Sequence, residues 1–351
     1  MNASTDFNDT ARLFDQTPYD LVRPLGSGGT ADVFEGRHRA LHHPVAIKLM
    51  RLVSGVSDLA GRMKLEARVQ ANLHHPNIVP VTDFGQAGDG RPYFVMPYFT
   101  GRSLRAEIAE VGVFSLRHAR RIIVPVLEGL SAAHEIGLVH RDIKPGNIFL
   151  ADSPRMGPPV VKILDFGLAK VVSAVSPVQV PSQIHTATGR AVGTIKFLPP
   201  EQAQGLSVDG RTDLYSVGMT LYYMLAGRGP YDHALTAVDR MVAHVTESAA
   251  PPSLYRPQPL PREWDALVLR ALARNPDDRF QNALEFIAAL KRAPTQVQAP
   301  SPPRPRPPHG QVSTQIMPAT PDNAVSPRRV GHYGTELLDP NAFPPDDENN
   351  R

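Results

Sequence analysis

Apolar residues recur along this chain at two different periods. Between Tyr19 and Val95 they come in short runs bounded by Gly, Pro or His: Tyr19 to Leu25, Ala31 to His38, Val45 to Leu49, Ile78 to Phe84 and Tyr93 to Val95. Runs of this length and boundary predict strands. A charged stretch from about Leu59 to Leu73 interrupts them and predicts a helix. After Gly101 the spacing turns helical: Leu116, Ala119, Ile123, Val126, Leu127, Leu130 and Ala133 share one face, with Ser115 placed as the N-cap. Pro125 falls inside this pattern, where a proline costs about 3 kcal/mol, so a kink or local distortion is expected. Asp213 to Leu225 is apolar almost throughout and predicts a helix buried on most sides. The pattern as a whole predicts an α+β chain with a small β-rich lobe followed by a larger helical lobe.

The two ends break the pattern. Residues 1–17 are polar and mixed in charge, and read as a flexible leader. From Pro294 the composition shifts: 13 of the 36 prolines fall in residues 294–351, and Ser301 to Pro308 reads as polyproline II. This Pro-rich tail buries too little apolar surface to offset its ordering entropy and is expected to be disordered. A spacer is the simplest role for it; its PxxP-like run and the patch Tyr333 to Phe343 leave a tail-binding partner open. Neither a signal peptide nor a membrane span is expected, so the chain is assigned to the cytoplasm. The absence of cysteine excludes disulfides and thiolate metal sites. A net charge of +3 without a basic, aromatic-laced stripe argues against nucleic-acid binding.

The densest chemistry lies in His140-Arg141-Asp142-Ile143-Lys144-Pro145-Gly146-Asn147, followed eighteen residues after Asn147 by Asp165-Phe166-Gly167. Here an acid, a cation and an amide share one short loop, and a second acid follows the β-like run Val160 to Leu164. Phosphoryl transfer from a metal-bound nucleotide needs those groups: a carboxylate for the hydroxyl, a cation for the moving phosphoryl and oxygens for the metal. Upstream, Gly26-Ser27-Gly28-Gly29-Thr30-Ala31-Asp32-Val33 lies between two strand-like runs, where glycines let backbone N–H groups approach phosphates.

On these motifs the region from residue 18 to 293 resembles a eukaryotic-type (Hanks-type) serine/threonine protein kinase domain of the bacterial kind. The resemblance implies a two-lobed fold with an N-lobe over 18–97 and a C-lobe over 98–293. It implies ATP as the nucleotide and Mg²⁺, or Mn²⁺, as the metal. Leu25, Gly26, Ser27, Gly28, Gly29 and Val33 would form the nucleotide loop, with Ala31 departing from the usual third glycine. Lys48 would hold the α/β-phosphates and pair with Glu66. Met96, Pro97 and Phe99 would meet the adenine, which Ala46, Val33 and Phe149 would sandwich. Asp142 would orient the acceptor hydroxyl, Lys144 would neutralise the γ-phosphoryl, and Asn147 and Asp165 would hold the metal. Asp213 would tie down the His140-Arg141 backbone, and Glu201 in Pro199-Pro200-Glu201 would pair with Arg279. His140 would serve packing.

The resemblance also bears on regulation. Thr186 and Thr188 resemble autophosphorylated activation-loop threonines, with Arg141, Lys170 and Arg62 as the phosphate pocket, while Thr194 would shape the substrate site. Protein substrates with Ser/Thr acceptors are implied, and homodimerisation is left open. The rivals are a pseudokinase-like scaffold and a small-molecule kinase. A zinc site on His134 and His140 is disfavoured, because six residues turn a helix by about 600° and do not put them on one face.

Overall fold

The structure, a computed structural model, describes residues 3–29, 31–51, 73–153, 157–166 and 195–296, with side chains from residue 7 onward. The helix expected over 59–73 (Leu73 apart) and the tail from 297 onward lie outside these residues.

The β-rich lobe opens with helix α1 (Ala3–Arg12) and continues into β1 (Tyr19–Ser27), β2 (Ala31–His38), β3 (Pro44–Met50), β4 (Asp83–Gln86) and β5 (Pro92–Pro97). They form one antiparallel sheet in the order β1-β2-β3-β5-β4. Because side chains alternate along a strand, Phe34, Val45, Ile47, Leu49, Tyr93 and Val95 turn to one face and form its core.

That core corrects the expected leader. Phe14 is fully buried in it, 5.0 Å from the Tyr93 ring between centroids, and Phe7 packs on Phe34. The backbone around it is tied as well: Gly88 N donates to Leu13 O, and Arg39 donates to the carbonyls of Phe14 and Asp15. A second correction concerns Ile78 to Phe84. Pro80 cannot donate to a ladder, and only Asp83 onward pairs as a strand, while Ile78 makes an isolated bridge to Ile163.

The second lobe is helical around a small antiparallel sheet of β6 (Gly101–Ser103), β7 (Ile148–Ala151) and β8 (Val160–Ile163). Its helices are α2 (Leu104–Val111), α3 (Leu116–Glu135), α4 (Pro200–Ala203), α5 (Gly210–Ala226), α6 (Ala237–Thr246), α7 (Arg262–Ala271) and α8 (Ala283–Arg292). Ser115 caps α3 as expected, accepting from His118 N, and α3 runs on through Pro125. Helix α5 is buried on nearly every side and ends at Gly227, whose φ of 70° favours a residue without Cβ. The helices share one core that includes Ile123, Leu127, Leu214, Tyr222, Trp264 and Phe286. Among the described residues no helix is long and apolar enough to cross a membrane.

Candidate active site

The face of the first sheet opposite its core carries the upper wall of a cleft. Register pairs Val33 with Lys48 and Ala46 with Met96, so these side chains share that face. Val33, Ala46 and Met96 are half-buried, while Lys48 is buried. At the rim, Gly26 pairs with Val33 and Ser27 with Asp32, and Gly28 N closes the turn on Ala31 O at 2.8 Å. A Cβ on Gly26 or Gly29 would meet nothing within 4 Å, and neither has a positive φ. The protein's own packing therefore does not require glycine at these two positions. What the missing side chains leave is open backbone, the form an anion-binding loop needs. Leu25 is exposed beside it.

The cleft floor is the loop between α3 and β7. Buried Asp213 on α5 fastens it from below: Oδ1 accepts from Arg141 N (2.8 Å), and Oδ2 from His140 N (2.9 Å) and His134 Nε2 (2.8 Å). The fully buried His140 ring bonds Leu164 O through Nε2, accepts Asp142 N at Nδ1, and meets the Phe166 ring edge-on. Above this anchorage Lys144 Nζ lies 2.9 and 2.7 Å from the two Asp142 oxygens. Asn147 donates through Nδ2 to Asp142 O and Oδ2, which leaves its amide oxygen as the atom suited to a cation.

Asp165 follows β8 and reaches the upper wall, with Oδ1 2.7 Å from Lys48 Nζ. Burial pushes its carboxyl up, but Lys48, His140 and Lys144 together hold it below the usual value, so it is ionised. Three non-glycine residues among those described have positive φ, and Arg141 and Asp165 are two of them. Such backbone costs about 1–3 kcal/mol each and persists where surroundings impose it.

At the lobe junction Met96, Pro97 and Phe99 are half-buried, as is Phe149 on β7. Phe149 pairs with Lys162, whose ammonium lies 5.0 Å from the Phe99 ring centre, a contact unanticipated from the sequence. Glu201 and Arg279 meet as expected in a two-pronged pair, at 2.8 Å on each side. Gln202 donates to Arg141 O, which links the start of α4 to the floor loop. Arg51, just after β3, also went unrecognised; its only sequence signal is a cation placed one strand away from Asp32. Glu66, Arg62, Gly167, Lys170, Thr186, Thr188 and Thr194 lie outside the described residues.

Among the described residues no three His, Cys, Asp or Glu side chains converge as a metal cage. One carboxylate and one amide oxygen fit a Mg²⁺ ion that takes its remaining ligands from phosphates and water.

Residues 19–289 match the family described as protein kinase domain. The chain is 38% identical over 277 residues to the probable serine/threonine-protein kinase PknB of Bifidobacterium longum, covering 76% of this chain and 38% of that protein. It is 37% identical over 276 residues to the serine/threonine-protein kinase pkn3 of Myxococcus xanthus, covering 78% and 49%. It thus spans less than half the length of either relative. The fold is similar to the PknI kinase domain of Mycobacterium tuberculosis, with 27% identity and a TM-score of 0.59 over 78% of this chain and 96% of that one.

Proposed function

This chain belongs to the protein kinase domain family, among the bacterial eukaryotic-type kinases, and from that premise we propose that it transfers the γ-phosphoryl of Mg-ATP to Ser or Thr hydroxyls of proteins. The observation that carries the proposal is the convergence of Asp142, Lys144 and Asn147 on one anchored loop, facing the Lys48–Asp165 pair. Residues 18–293 are taken as the catalytic unit.

In the proposed reaction the acceptor hydroxyl oxygen bonds to the γ-phosphorus as the bond to the β,γ-bridging oxygen breaks. ADP leaves, and Asp142 takes the hydroxyl proton. Lys144, already beside Asp142, meets the charge on the transferring group, which is where prepositioned cations lower the barrier most. Lys48, beside Asp165, would hold the α/β-phosphates. Asn147 and Asp165 would hold Mg²⁺ or Mn²⁺, which when bound neutralises phosphate charge. The open backbone at Gly26 and Gly29 is the support for a phosphate loop, and the half-buried Val33, Ala46, Met96, Pro97, Phe99 and Phe149 support an adenine slot. The relatives' names favour Ser/Thr acceptors.

Activation by autophosphorylation at Thr186 and Thr188 belongs to the same proposal, with Lys170 and Arg141 as receivers. Arg141 supports it: its Nε is buried without a hydrogen-bond partner among the described residues. A phosphothreonine would supply one, at about 1.5–3 kcal/mol per charge-assisted bond.

The test is incubation with γ-labelled ATP, Mg²⁺ and a generic basic protein, followed by phosphoamino-acid analysis. Phosphoserine or phosphothreonine is expected. Label confined to phosphotyrosine or to small metabolites would contradict the proposal.

A further inference from the structure

The pairing of Ala31 with Met50 brings Arg51, the residue after β3, beside the tip of the glycine-rich turn. Its guanidinium spans three strands. Nε donates to Asp32 Oδ2 at 3.2 Å, and Nη2 donates to Asp32 Oδ1 at 2.7 Å and to Ser27 Oγ at 2.8 Å. Ser27 and Asp32 are themselves register partners, so one side chain grips both arms of the turn.

Among the described residues the turn beyond these ladder pairs is closed by the Gly28 N to Ala31 O bond, and a Cβ on Gly26 or Gly29 would meet nothing within 4 Å. The Asp32 carboxyl is pushed up by burial and pulled below its usual value by Arg51 and Ser27, so it carries a charge. By register Asp32 pairs with Leu49 of the sheet core, so the Asp32–Arg51 pair lies on the face away from the cleft wall and acts on the turn through the two strands it joins.

We infer that Arg51 is a positioning residue for the nucleotide: it clamps the glycine-rich loop through Ser27 and Asp32. The inference rests on reading this turn as the nucleotide loop. Arg51 is over a third exposed, and an ion pair so exposed adds little to stability, so its variants fold. Lysine would not replace it, because the two-pronged grip needs a planar fork.

The experiment is a titration of the full chain with a non-hydrolysable Mg-ATP analogue, using wild type, Arg51→Gln, Asp32→Asn and the double variant, with thermal midpoints as the folding control. Arg51→Gln weakens binding roughly fivefold, the size of one well-formed, partly exposed pair. Asp32→Asn, which breaks the charged limb of the same clamp, weakens binding by a similar or smaller factor. The double variant binds about as well as Arg51→Gln, because both substitutions break the same contact and their losses do not add. Unchanged affinity in Arg51→Gln, or a double variant in which the two losses multiply as independent effects, overturns the inference. A wild type that follows this binding pattern yet transfers no phosphate sinks the proposed activity and leaves the role of Arg51 standing.

Discussion

Lys48 Nζ stands 2.7 Å from Asp165 Oδ1, and this contact bridges the two lobes across the cleft. One partner sits on β3 with its flanking residues in the sheet core; the other follows β8 in the helical lobe. The pair therefore couples the spacing of the walls to the residues proposed to hold phosphate and metal. Lys48→Met keeps the stem and removes the charge. Phosphoryl transfer is expected to fall by about 100-fold or more, the scale for losing a prepositioned electrostatic group. The measurement is single-turnover transfer at saturating ATP.

Glu201 and Arg279 predict a stability effect instead. The pair is buried, and the Arg279 fork also donates to the carbonyls of Ala273, Arg274 and Arg211. Burial pushes the Glu201 carboxyl up, but Arg279 and Thr212 hold it below its usual value. Its contribution is thus present above the unfolded carboxylate range and is lost as pH falls through the lower folded value. Glu201→Ala leaves a buried cation unmatched and is expected to cost about 3–5 kcal/mol in urea unfolding at pH 7. Arg279→Lys is expected to lose much of the same stability, because one ammonium cannot serve all those acceptors.

His244 gives the fold a sensitivity to mild acid. It is fully buried, shares a 2.8 Å hydrogen bond with Tyr215 Oη, and has its pKa lowered to about 4 by burial and then by Arg240. The unfolded chain binds a proton near pH 6.5 that the folded chain refuses until about pH 4. Stability is therefore full above the unfolded value and is lost as pH falls through this window, by about 2 kcal/mol between pH 7 and 5. Urea unfolding at the two pH values measures the loss, and His244→Gln should flatten that part of the dependence.

Phe14 tests the packed N-terminal segment. Phe14→Ala removes a fully buried ring from the core of the first sheet and is expected to cost about 3–5 kcal/mol. A leader standing apart from the fold would show no change in the unfolding midpoint.

The parts legible in the sequence were the local ones. Periodicity located β2, β3, α3 and α5 because each element carries its own signal in consecutive residues. The Asp142, Lys144 and Asn147 cluster was legible for the same reason, being one short loop. Contacts between distant segments were not. The seating of Phe14 on Tyr93 was missed, although Phe7, Ala11 and Phe14 recur at helical spacing and offered a signal. The resemblance pairs Lys48 with Glu66, which lies outside the described residues, while the Lys48 contact with Asp165 joins β3 to the residues after β8 and leaves no local trace in the sequence. The Ile78 to Phe84 run misled because apolar composition outweighed Pro80.

The central claim is that Asp142 serves phosphoryl transfer to protein hydroxyls, and the direct measurement is the rate of γ-phosphate incorporation by wild type against Asp142→Asn at equal nucleotide occupancy. A loss of about 100-fold to 10,000-fold, the range for removing a general base, is the predicted result. Equal rates in the two proteins, or tight Mg-ATP binding by wild type with no transfer under activating conditions, would contradict it.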